Sequence, residues 1–333
     1  MTVTLNGTES RETITDAGGR YSFDNVETRG AYTVTPARVN YSFSPPSRTF
    51  SLLGIHTEAS FTATANSSGS HLNPLDSTGY FVRQQYLDFL GREPDQNGFT
   101  FWNNQINSCG ADRECMESKR IDVSAAFFYS IEFQQTGFLV YRMNKAAYGN
   151  LSLDLPVPVT LADFLPDARK IAQGVVVNAD GWQTVMENNQ QAFASEFVQR
   201  LRFTSAYPDS LTPAEFVDRL FANASVSPAA DDRSAAINEF GSASDTRDVP
   251  ARARAFRDVA ENSTLARQEF NRAFVLMEYF GYLQRNPNDP PDGDFAGYDY
   301  WLGKLNRFGG DYRGAEMVKA FLMSSEYRKR FGQ

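Results

Sequence analysis

The strongest constraint on this chain is that it writes one passage twice. "YFVRQQYLDFLGREPDQNGFTFW" (80–102) returns as "FVLMEYFGYLQRNPNDPPDGDFAGYDYW" (274–301). Phe81, Val82, Tyr86, Leu90, Arg92 and Pro94 align without a gap to Phe274, Val275, Tyr279, Leu283, Arg285 and Pro287. Asp95, Gly98, Phe99, Phe101 and Trp102 then align to Asp294, Gly297, Tyr298, Tyr300 and Trp301, after an insert "NDPPDG" from Asn288 to Gly293. Further on, "AFFYSIEF" (126–133) returns as "AFLMSSEY" (320–327). Units repeated in this way bury a shared core by packing on one another.

Weaker copies lie between. A glutamate followed by an aromatic residue recurs at Glu132-Phe133, Glu196-Phe197, Glu269-Phe270 and Glu326-Tyr327. Trp182 takes the tryptophan place of the second unit, and Phe216 serves the third, which has no Trp. The expectation is four degenerate helical units, 78–133, 138–197, 197–270 and 270–331, within a helical domain over 78–333. Stretches such as "YFVRQQYLDFL", "TLADFLPDARKIAQGVV" and "PAEFVDRLFANA" carry the helical period.

Residues 1–64 follow a different grammar. "TVTLNG", "ETITDAGGRYSF", "AYTVTPA", "RTFSL" and "EASFTATA" are short, rich in Thr, Val, Tyr and Phe, and divided by Gly, Pro and Asp. Asp16-Ala17-Gly18-Gly19 is a hairpin signal, and alternation puts Tyr21 and Phe23 on one face. Residues 65–77, "ANSSGSHLNPLDS", read as a linker. The predicted fold class is therefore multidomain: a small all-β sandwich followed by an all-α helical repeat domain.

Composition narrows the function classes. With 27 Phe and 15 Tyr in 333 residues, the chain can bury a substantial core. A net charge of −8 with no basic cluster argues against nucleic-acid binding. No apolar run reaches the ~20 residues that span a bilayer. The start, "MTVTLNGTES", lacks the basic and apolar regions of a signal peptide, so export implies a longer precursor or a missing leader. The two cysteines, Cys109 and Cys115, close a small loop if oxidised and remain free thiols in a reducing cell; their spacing is poor for zinc. The two histidines, His56 and His71, both fall in the N-terminal quarter, which excludes a His-based triad in the helical part. No nucleophile elbow, zincin motif or phosphate-binding loop occurs.

Two resemblances add to this. Thr15-Asp16, Tyr21-Ser22-Phe23, Tyr32-Thr33-Val34 and Tyr41-Ser42-Phe43-Ser44-Pro45 resemble the carboxypeptidase-regulatory-like (transthyretin-like) β-sandwich of bacterial surface proteins. Such domains open with an extra strand before the one that matches Val3 to Leu5; either the chain is the C-terminal part of a longer polypeptide, or the sandwich has an unfilled edge, open to strand addition from another chain. Tyr86, Leu90, Gly91, Arg92, Pro94, Asp95, Gly98, Trp102, Ser130, Glu132 and Phe133 resemble a bacterial secreted domain of unknown function. That family occurs beside calcium-binding repeats and surface-layer modules and is distantly similar to phycobilisome linkers. Tyr279, Leu283, Arg285, Pro287, Asp294, Gly297, Trp301, Ser324, Glu326 and Tyr327 match again, with Gln284 in place of the glycine. The resemblance implies export, which favours the disulfide, and is nearly silent on activity, because the family has no established catalytic residues.

The candidate site residues each carry two readings. Asp95 and Asp294 read as helix N-caps rather than metal ligands. Asp289, Asp292, Asp294 and Asp299 crowd one loop and are the candidate calcium ligands, against a solvated acidic loop; no other cofactor is indicated. Arg92 and Arg285 could bind an anion, or could pair with Glu132 and Glu326 to tie helix to helix. Trp102, Trp182 and Trp301 could stack on sugars, but at repeating helix positions they are expected in the core.

The functional expectation is a non-catalytic extracellular or cell-surface structural or adhesion protein that self-assembles through the open sandwich edge. Its partners would be copies of itself or envelope and matrix components. The alternative is a glycan- or protein-binding accessory module of a larger secreted enzyme.

Overall fold

The computed structural model describes residues 2–8, 11–15, 18–23, 26–38, 41–51, 57–65 and 73–332. Asp16, Ala17, His56, His71 and most of the expected linker lie outside the described residues. The chain forms two compact units, residues 1–81 with 328–333, and residues 82–327.

The first unit holds two small sheets. β1 (Thr2–Gly7), β2 (Arg11–Ile14), β3 (Tyr32–Ala37), β4 (Tyr41–Ser44), β5 (Arg48–Phe50) and β6 (Thr62–Ala65) are its strands. The four-stranded sheet runs β2-β1-β3-β5 and the two-stranded sheet pairs β4 with β6. β1 and β3 are antiparallel, with Leu5 opposite Val34. Val3, Leu5, Tyr32 and Val34 are buried together, as a period-two pattern requires. Tyr21 and Phe23 pack on that cluster, although Arg20–Phe23 is not a strand as the alternation predicts. A tyrosine-to-carbonyl bond from Tyr21 to Ala59 anchors the segment instead of a ladder. The chain's last residues fold with this unit: Asn73 donates to the carbonyls of Arg328 and Gly332 at 2.9 and 2.8 Å.

The second unit is helical throughout. Its central helix, Gly137–Tyr148, is buried on nearly every side from Gly137 to Ala147. Such a helix shows no amphipathic stripe, because every face meets protein. Its polar groups find partners inside: Tyr141 donates to Glu269 Oε2 at 2.7 Å and Lys145 to Asn150 Oδ1 at 2.7 Å. Phe128 stacks on Phe274 with centroids 4.2 Å apart, joining the first and last copies of the repeat. Burying each such ring stabilises the fold by about 1.5–3 kcal/mol. Among the described residues no helix is long and apolar enough to cross a membrane.

Cys109 and Cys115 are disulfide-bonded, with Cα atoms 5.6 Å apart. The bond closes the turn between helices Gln96–Asn107 and Arg113–Tyr129. Asp112 caps the second helix, accepting from Glu114 N at 3.0 Å and Cys115 N at 3.1 Å. A loop this short restricts the unfolded chain by about 2 kcal/mol. Reduction is expected to lower the unfolding free energy by that amount in urea titrations; an unchanged midpoint would show that the cap alone holds the turn.

Candidate functional site

Two helices of the repeat end in the same unusual way. Thr78–Gln85 runs into a π-turn at Tyr86–Leu90, and Ser263–Glu278 into a π-turn at Tyr279–Leu283. Each then reverses through a left-handed residue, Gly91 (φ 65°) or Gln284 (φ 54°). Glycine adopts that backbone freely. Gln284 offsets its cost by donating Nε2 to the carbonyls of Phe280 and Gly281, at 2.7 and 2.9 Å, which caps the helix end.

The reversal places an arginine against the closing helix of its own copy. Arg92 donates Nε and Nη2 to the two oxygens of Glu132, both at 2.7 Å. Arg285 does the same to Glu326 at 2.6 and 3.1 Å. Each guanidinium also lies over the tyrosine of its π-turn, 5.1 Å from the Tyr86 centroid and 5.4 Å from that of Tyr279. Each glutamate sits just after a serine cap: Ser130 accepts from Phe133 N, and Ser324 from Tyr327 N, at 3.1 Å. Paired in this fork geometry, neither arginine stands free for an anion. The intermediate glutamates differ: Glu196 accepts from Lys170 and, on one oxygen, from Arg200 four residues on, and Glu269 accepts from Tyr141.

The repeated glycine has a packing cause. A Cβ on Gly98 would fall on the Tyr86 hydroxyl, and one on Gly297 would meet the Tyr279 hydroxyl at 2.6 Å. Gly98→Ala is expected to cost about 1–3 kcal/mol through overpacking. Adding Tyr86→Phe removes the obstructing oxygen and is expected to recover most of that loss in denaturant unfolding. An alanine tolerated at wild-type stability would remove this explanation.

The aspartates correct the alignment. Asp95 caps helix Gln96–Asn107, accepting from Gly98 N at 2.8 Å, and lies 3.7 Å from Arg92. In the other copy it is Asp292, inside the insert, that meets Arg285 at 2.8 Å and lies beside Gly297. Burial, then the Asp95 carboxylate, pushes the Tyr86 phenol up to about 12; burial, then Asp292, does the same to Tyr279. Asp294 instead accepts from Ala296 N at 2.9 Å. The insert thus carries the equivalent carboxylate around a longer path, so sequence spacing mispairs it.

The four candidate calcium ligands take separate positions. Asp289 Oδ2 accepts from the backbone and side-chain nitrogens of Asn286, at 2.8 and 2.9 Å. Asp292 faces Arg285, Asp294 bonds Ala296, and Asp299 sits in the first turn of helix Ala296–Arg307. Among the described residues no three His, Cys, Asp or Glu side chains form a group that could hold a metal. The acids disperse because the protein supplies a donor to three of them.

The tryptophans differ from expectation as well. Trp102, Trp182 and Trp301 are all partly exposed rather than core. Trp182 opens helix Trp182–Phe197. Trp102 packs on Phe127 at 5.9 Å and carries the exposed Phe101 against it at 4.8 Å; Trp301, Phe321 and Tyr300 repeat this at 5.9 and 5.0 Å. Phe127 and Phe321 are the buried members of these sets, which explains the partial exposure of the indoles.

Over the first copy lies a cleft of about 720 Å³. Arg92, Asp95, Glu132 and Ser130 line its polar part, and Trp102, Phe101, Phe127 and Ile131 its apolar part. Residues 176–179, Val176, Val177, Asn178 and Ala179, form a wall, and Gln96 and Asn97 a rim. The cleft brings together Arg92, Asp95, Gly98, Trp102 and Glu132, all candidates by recurrence in the sequence; Pro94 precedes the Asp95 cap. Gln96, Asn97, Ile131 and Asn178 were not candidates. The usable signal was the positions at which the two copies differ: Gln96 and Asn97 stand against Phe295 and Ala296, and Ile131 against Ser325.

Residues 68–136 match the family described as Domain of unknown function (DUF4214). No curated protein and no solved structure matches the chain.

Proposed function

We propose that the chain is a non-catalytic attachment module of an exported, cell-surface protein, in which the helical unit holds a ligand in the cleft over its first copy. The observation that carries this reading is the cleft itself, with exposed Phe101 and Ile131 at its wall and hydrogen-bonding side chains at its rim. Pockets of this size and mixed lining are where proteins hold small or chain-like ligands. The Cys109–Cys115 bond supports an oxidising compartment. The Arg–Glu pairs, satisfied within each copy, support roles in folding rather than in chemistry.

The test is retention. Immobilised protein is exposed to solubilised bacterial envelope and matrix material, beside the variant Gln96→Phe/Asn97→Ala. Capture by the wild type, weakened by the rim variant, is expected. Turnover of a polysaccharide or peptide substrate would contradict the non-catalytic reading.

A second reading has its own observation. β2 is an outer strand of the four-stranded sheet, and an outer strand can accept a strand from another chain. Self-assembly of this kind predicts oligomers whose mass grows with concentration in sedimentation. A strict monomer at high concentration would exclude it.

A further inference from the structure

We propose that the cleft of the first copy takes a neutral, hydroxyl-rich ligand, a glycan ring. Gln96, Asn97 and Asn178 would read its hydroxyls, and Trp102 with Phe101 would cover its C–H face. The inference rests on the cleft being the binding site and adds the chemistry of what enters.

The protein contains its own control. Arg92, Glu132, Tyr86, Gly98 and Trp102 have counterparts in Arg285, Glu326, Tyr279, Gly297 and Trp301, arranged alike, so folding accounts for them. What the twin does not share is the exposed pair Gln96, whose Nε2 donates to Thr100 Oγ1 at 3.1 Å, and Asn97, replaced there by buried Phe295 and by Ala296. The twin also folds its insert onto its arginine: Arg285 Nη1 donates to the carbonyls of Asn286, Pro287 and Asp289 at 3.1, 3.3 and 3.1 Å. A third exposed carboxamide reaches the first cleft from a different loop. Asn178 holds a left-handed backbone (φ 73°), a conformation asparagine adopts more readily than most residues.

Charge then selects the class. Among the described residues Arg92 is the one cation lining the cleft, against the two carboxylates Asp95 and Glu132, so their formal balance is −1. Glu132 already occupies Arg92 through both oxygens. An anionic ligand would have to displace it and would meet a net negative lining. A cation would find both carboxylates already shared, Glu132 with Arg92 and Asp95 with Gly98 N and Arg92. Carboxamides both donate and accept, as sugar hydroxyls do, and aromatic rings cover the apolar face of a sugar.

The experiment uses the whole chain on an array of neutral oligosaccharides (β-glucans, xylans, mannans, chitooligosaccharides) beside uronate polymers such as alginate. Binding to a neutral member is expected. Gln96→Phe/Asn97→Ala, which copies the twin's rim, and Asn178→Gly, which keeps the left-handed backbone free of strain, are each expected to weaken it about tenfold or more, since binding then leaves hydroxyls unpaired. Both variants change exposed side chains, so unchanged thermal unfolding is the folding control. Binding to uronates alone, abolished by the rim variant, would overturn the ligand class and leave the cleft reading standing. Neutral binding indifferent to both variants would overturn the cleft as the site. A flat array would overturn the glycan, and capture of envelope material by wild type but not by the rim variant would then keep the cleft.

Discussion

Arg92→Met is expected to lower the unfolding free energy by about 3–5 kcal/mol, the cost of stranding a buried partner charge. Glu132 is that partner, with a side chain 4% exposed. The same change at Arg285 is expected to cost less on this account, because the Glu326 side chain is 36% exposed and water screens what is left behind. The double variant Arg92→Met/Glu132→Leu is expected to regain most of the loss, since a buried pair exchanged for apolar groups is often near neutral. Denaturant unfolding of the four proteins checks this. Equal losses at Arg92 and Arg285 would show that burial of the glutamate does not set the cost.

Glu278→Gln is expected to stabilise the protein, and by more as pH rises. Glu278 is 1% exposed, and its Oε2 has no hydrogen-bond partner among the described residues. Burial pushes its carboxyl well above the usual glutamate value of 4.5. The folded state therefore keeps a proton that the unfolded state gives up. Stability from this group is fully present below the unfolded value, and falls by about 1.4 kcal/mol per pH unit from there toward the folded value. Glutamine has no proton to lose, so the gap between variant and wild type should be small at pH 4 and widen through neutral pH. Melting temperatures across that range measure it. A constant gap would mean that Glu278 is ionised in the folded protein.

The position of Glu278 also shows why the two copies meet where they do. It is the repeat equivalent of Gln85, and both precede the tyrosine of a π-turn. Gln85 is likewise fully buried, and its Nε2 lacks a hydrogen-bond partner among the described residues while its Oε1 accepts from Tyr282 at 3.0 Å. Phe89 and Tyr282, again equivalent, meet ring to ring at 5.1 Å. The copies thus pack through their π-turns, each supplying the same positions.

Much of this was legible in the sequence because a repeat compares a chain with itself. The strand and helix halves, the close cysteines and the positions of Arg92, Glu132, Arg285 and Glu326 all follow from pattern and recurrence. Other features were hidden for identifiable reasons. Gly137–Tyr148 is buried all round and so carries no stripe. Asp292 replaces Asp95 through space, past an insert that linear alignment treats as extra. Trp102 recurs and yet is partly exposed, since recurrence marks a shared framework and not burial. Asn178 comes to the cleft from a separate loop, and nothing local in "VVVNADG" announces the meeting.

In the proposed division of labour the first copy recognises a ligand while its twin only supports the fold. Hydrogen–deuterium exchange, with and without a saturating neutral oligosaccharide, tests it most directly. Slowed exchange confined to residues 95–102, 130–132 and 176–179, with 294–301 unchanged, is the predicted result. Protection centred on 294–301, or on the sheets of the first unit, would contradict it.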